Sequence, residues 1–62
     1  MTPPFYLYYW CQPAARWRQV DECDFEHDDL LSANLCARHI SQRRGVPVLI
    51  QDSDGRVAGT VG

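Results

Sequence analysis

The chain has no lysine, and all six of its basic residues are arginine. A composition bias accounts for that choice more simply than a binding signal does. It has three cysteines, an odd number at irregular spacing, where a disulfide-built secreted domain shows an even count. On that reading Cys11, Cys23 and Cys36 are reduced thiols and the protein is cytoplasmic. No basic segment followed by an apolar run opens the sequence, so no signal peptide is expected. The longest apolar run, Phe5 to Cys11, is far too short to span a bilayer, and no membrane partner is expected. None of the four glycines builds a phosphate-cradling loop. There is neither a nucleophile elbow nor a Gly-rich oxyanion turn, and His27 and His39 are the only candidate bases. So short a chain also has little room for a concave pocket. No catalytic residue and no cofactor is expected, and the protein reads as a non-enzyme.

What is present fits a small globular unit. Its 62 residues make one domain, residues 1–62, with 45% hydrophobic and 23% charged residues. Such a chain buries only about 60% of its unfolded surface, and its core supplies roughly 3–5 kcal/mol. A disulfide, a metal or a second subunit would offset that shortfall. The net charge of -2 argues against a nucleic-acid partner, though weakly.

The organising stretch runs from Asp28 to Arg56. Asp28 and Asp29 supply the acceptors and negative charge that a helix start favours. Leu30 to Arg44 holds no Gly, no Pro and a single β-branched residue, Ile40, and reads as one helix. Arg43 and Arg44 suit its negative end, and Gly45 suits a left-handed cap. On a 100° wheel Leu30, Ala33, Cys36, Ala37 and Ile40 share the core side, while Leu31 and Leu35 point elsewhere. Val46 to Gln51 reads as a strand, with Pro47 confined to its start or to an edge. Asp54-Gly55 is the turn that returns the chain through Arg56 to Val61.

Upstream, Phe5 to Cys11 is aromatic enough to be a strand. Gln12 to Ala15 turns the chain, and Arg16 to Cys23 returns it. A loop centred on Pro13-Ala14 sets Trp10 opposite Trp17, Leu7 opposite Val20 and Tyr9 opposite Arg18, the last as a cation–π pair. Alternation then puts Phe5, Leu7, Cys11 and Val20 on one face, and Tyr6, Tyr8, Trp10 and Trp17 on the other. Asp24 to Asp29 reads as the connection into the helix.

Three constellations bear on function. Six of the eight acids fall between Asp21 and Asp29. They are a cation site, a docking patch for a basic partner or, most simply, a solvated connection with helix-start charge. The calcium-loop pattern is absent, because the Gly and the closing Glu are missing. Cys23, His27, Cys36 and His39 are a candidate zinc set, with Cys36 and His39 one helical turn apart. The set lacks the short two-Cys knuckle of structural sites, and a small apolar core role suits Cys36 better. The aromatics Tyr6, Tyr8, Trp10 and Trp17 are candidate partner-binding residues, because one helix can cover only one face of a sheet. Such a face forms protein interfaces or stacks single-stranded bases, with Arg16, Arg18 and Arg56 as phosphate contacts in the second case.

The second half resembles a small uncharacterised bacterial domain family. Members carry a Trp-bearing hairpin, an Ala-rich helix, a Gly and an apolar strand ending in Asp-Gly-Arg. The matching residues are Trp17, Phe25, Leu35-Cys36-Ala37-Arg38, Gly45 and Asp54-Gly55-Arg56-Val57, spread over residues 16–58. The resemblance implies a ββαββ layout and no activity.

The expected fold is therefore α+β, a mainly antiparallel sheet of about four strands with one helix packed on one face. The expected function is that of a small interaction or regulatory protein that forms a homodimer through its aromatic face. A single-stranded nucleic-acid binder is the alternative, and a zinc-stapled adaptor the second.

Overall fold

A computed structural model describes residues 2–20 and 26–62. In chain order its elements are β1 (Phe5–Cys11), β2 (Arg16–Gln19), β3 (Glu26–His27), α1 (Leu30–Arg44), β4 (Val48–Gln51) and β5 (Val57–Val61). The fold is α+β. All strand pairs are antiparallel, in the order β2-β1-β4-β5, with β3 also paired to β1. Tyr6 faces Gln51 on one side and Glu26 on the other. The short β3 therefore shares the β2 side of β1.

The helix is bounded as its sequence dictates. The Asp29 carboxylate accepts the Ser32 N–H at 2.7 Å, which satisfies one of the orphan donors of the first turn. At the other end Gly45 adopts φ 68° and donates to the Ser41 carbonyl at 2.8 Å. Ala33, Ala37 and Ile40 are its buried residues. They meet Phe5, Leu7, Val20, Val48 and Ile50 to form the core. Two alanines on the buried line allow the helix to lie close against the strands.

The first hairpin keeps the expected register. Trp10 lies opposite Trp17 and Tyr9 opposite Arg18, and the Val20 N–H reaches the Leu7 carbonyl at 2.9 Å. Pro47 sits just before β4, and its carbonyl accepts the Trp10 N–H at 3.0 Å. A missing donor is harmless in that place. In the second hairpin Asp52 is buried, and its carboxylate accepts the N–H groups of Asp54 and Arg56 at 2.9 and 3.0 Å. Gly55 takes φ 81° in the same turn. Ile50 pairs with Gly59 and Gln51 with Val57, so Ala58 is an unpaired bulge on β5.

Several expectations need correction. Glu26–His27 is a strand, where the sequence suggested only a connection. Two residues are too few to show a period. The β2 strand ends at Gln19, and the rest of the returning strand read to Cys23 falls partly outside the described residues. Cys36 is disulfide-bonded, so the reading of three reduced thiols fails, while Cys11 is a free thiol. Tyr9 takes Arg44 as its cation, 4.1 Å from the ring centroid, in place of Arg18. Helix packing brings Arg44 over the ring, a long-range approach that strand register does not reveal.

Candidate functional site

The sheet has two chemically different faces. Along β1 the odd positions Phe5, Leu7 and Tyr9 turn toward the helix, and Tyr6, Tyr8 and Trp10 turn away from it. Directly opposed residues in antiparallel strands share a face. The outer face therefore adds Trp17 and Gln19 from β2, Glu26 from β3, Leu49 and Gln51 from β4, and Thr60 from β5. The structure thus brings the four expected residues Tyr6, Tyr8, Trp10 and Trp17 together on one surface.

Their geometry is that of a row of rings. Trp10 and Trp17 pack edge to face, with centroids 5.3 Å apart and planes at 73°. Trp17 remains 41% exposed, and Tyr6, Tyr8 and Trp10 are half-buried. The Tyr6 hydroxyl donates to the Glu26 carboxylate at 3.3 Å. Desolvation, together with the adjacent Glu26 charge, holds the Tyr6 phenol above its ordinary pKa. It is therefore a neutral donor at neutral pH. Glu26 is the one charged side chain that the described pairings place on this face, and it lies at the rim.

The arginines expected to assist base stacking are elsewhere. Arg18 lies opposite Tyr9 and Arg16 opposite Cys11, which places both on the helix side of the sheet. Arg56 lies in the hairpin that joins β4 to β5. Neither Arg16 nor Arg18 therefore shares a face with the aromatic row.

The candidate zinc residues are dispersed in character. His27 is buried, and its Nδ1 lies 2.9 Å from the Ser32 hydroxyl. Its buried Nε2 has no hydrogen-bond partner among the described residues. His39 is exposed on the helix, and Cys23 lies outside the described residues. Cys36 is half-buried and disulfide-bonded, so its sulfur is not the thiolate that zinc requires. Among the described residues no cluster of three or more His, Cys, Asp or Glu side chains is placed to hold a metal ion. Of the acidic run, Asp21, Glu22 and Asp24 lie outside the described residues, and Glu26, Asp28 and Asp29 are exposed.

Two features escaped the sequence reading. The buried Asp52 was legible only as part of an Asp-rich turn. A cleft of about 280 Å³, lined by Tyr9, Trp10, Cys11, Gln12, Arg44 and Val46, needs the helix end and the first hairpin to be placed together. Among the described residues no helix is long and apolar enough to cross a membrane. The chain matches no family model, no curated protein and no solved structure.

Proposed function

We propose that this is a small non-enzymatic interaction protein that self-associates through the outer sheet face, with Tyr6, Tyr8, Trp10 and Trp17 at the centre of the contact. The observation that carries this reading is a contiguous aromatic row with its charge at the rim and no described element packed over it. Interface centres are enriched in Tyr and Trp and depleted of charge in the same way. A two-fold pairing of identical faces covers both rows without any further sequence. Two uncharged centres also avoid the like-charge repulsion that a basic or acidic face would suffer in a homodimer. Nucleic-acid stacking fits less well, because Arg16 and Arg18 face the other way. The likeness of residues 16–58 to a small bacterial family adds no activity to this reading. A cytoplasmic location accompanies it only if Cys36 is recovered as a thiol from cells lysed into an alkylating reagent.

The test is mass by light scattering across a concentration series. Wild type should approach the dimer mass at high micromolar concentration, and Tyr8→Lys should shift it toward the monomer. A wild type that stays monomeric throughout sinks the homodimer. The face would then belong to a different protein or to single-stranded RNA.

A further inference from the structure

The charges of this fold are sorted along β1. At the Phe5 end lie all the acids of the described residues. Glu26 is paired with Tyr6, Asp28 and Asp29 stand at the helix start, and Asp52 and Asp54 lie in the turn after β4. At the Cys11 end lie four of the arginines. Arg16 is opposite Cys11, Arg18 is opposite Tyr9, and Arg43 and Arg44 close the helix. The helix stops before it covers this end of its own side of the sheet. The cleft of about 280 Å³ lies there, lined by Tyr9, Trp10, Cys11, Gln12, Arg44 and Val46. Arg44, one of the lining residues, is laid over the Tyr9 ring, 4.1 Å from its centroid. Arg16 and Arg18 do not line the cleft, but cross-strand register sets them on the same face, beside its Cys11 and Tyr9.

We propose that this cleft binds a small phosphomonoester, with Arg16, Arg18 and Arg44 on the phosphate, the Gln12 amide as a further donor, and Tyr9 and Val46 against the organic group. Planar guanidinium forks suit the three terminal oxygens of a phosphate dianion better than they suit a single carboxylate. The volume is close to the lower bound of roughly 300 Å³ for small-molecule pockets, so the organic group is small. The acids lie at the far end of β1, where they offer little opposition within a Debye length of about 8 Å at physiological salt. Trp10 borders this cleft as well as belonging to the aromatic row, whereas Arg16 and Arg18 lie on the opposite side of the sheet from that row.

The experiment is a thermal-shift and calorimetric titration of the whole chain with phenyl phosphate, inorganic phosphate and a single-stranded oligothymidylate, against sodium chloride at matched ionic strength. Phenyl phosphate should bind saturably and more tightly than inorganic phosphate. Arg16→Gln and Arg18→Gln, both at exposed positions, should each weaken it about tenfold. Arg56→Gln, at the other end of the sheet, and Tyr8→Lys, on the other face, should leave it unchanged. Shifts that only track ionic strength overturn the proposal, as does a wild-type affinity in Arg18→Gln. Tighter binding per phosphate to the oligonucleotide also overturns it, and reassigns the arginines to a nucleic-acid backbone.

Discussion

Both faces of this sheet are rich in large side chains, yet only one of them is a core. On the helix side Leu7, Val48 and Ile50 lose all contact with solvent. On the outer side Tyr6, Tyr8 and Trp10, their immediate neighbours in sequence or register, stay half-buried. Hydrophobicity alone does not separate the two sets. What separates them is which parity of the strand the single helix lies over, and the ring hydroxyls and indole N–H groups of the outer set tolerate water at their tips.

The largest expected effect tests whether the covered face carries the stability. Leu7→Ala should cost about 2–5 kcal/mol, because it leaves a cavity among fully enclosed neighbours. Tyr8→Ala, one residue on, should cost less than half as much when measured on monomer. Urea melts of the two variants decide the matter, and equal losses would erase the distinction between the faces. Next in size, Ala37→Leu should cost about 1–3 kcal/mol by forcing the helix off the sheet. Arg38→Leu, on an exposed position beside it, should barely move the melting temperature. The reverse order would mean that the helix presents its other side. The smallest effect concerns Leu31 and Leu35, which are 72% and 60% exposed. Leu35→Ser should stay within about 0.5 kcal/mol of wild type, as surface changes usually do. A larger loss would show that this pair is covered in solution.

Much of this was legible in the sequence. The helix bounds follow from Asp29, Arg43, Arg44 and Gly45, since capping and dipole effects act within a turn of chain. The hairpin register follows from Pro13-Ala14, because a short loop leaves little freedom of alignment. The two faces then follow from alternation. The structure adds what depends on distant pieces meeting. Arg44 over Tyr9 requires the helix end to reach the first strand. The strand at Glu26–His27 exists because β1 offers it an edge, not because two residues favour extension. The Cys36 disulfide was missed for a related reason. An odd count speaks for the whole chain, whereas a bond needs only two sulfurs that the fold brings together.

One consequence follows from the bulge at Ala58. The β5 strand is Val-Ala-Gly-Thr-Val, without charge or proline, and it forms one border of the sheet. Such a strip is the usual seed of endless strand-by-strand growth into fibrils. The unpaired residue breaks the even spacing of amide groups along that border, so an incoming strand finds no straight ladder to copy. Edge-to-edge growth is thereby disfavoured at this border.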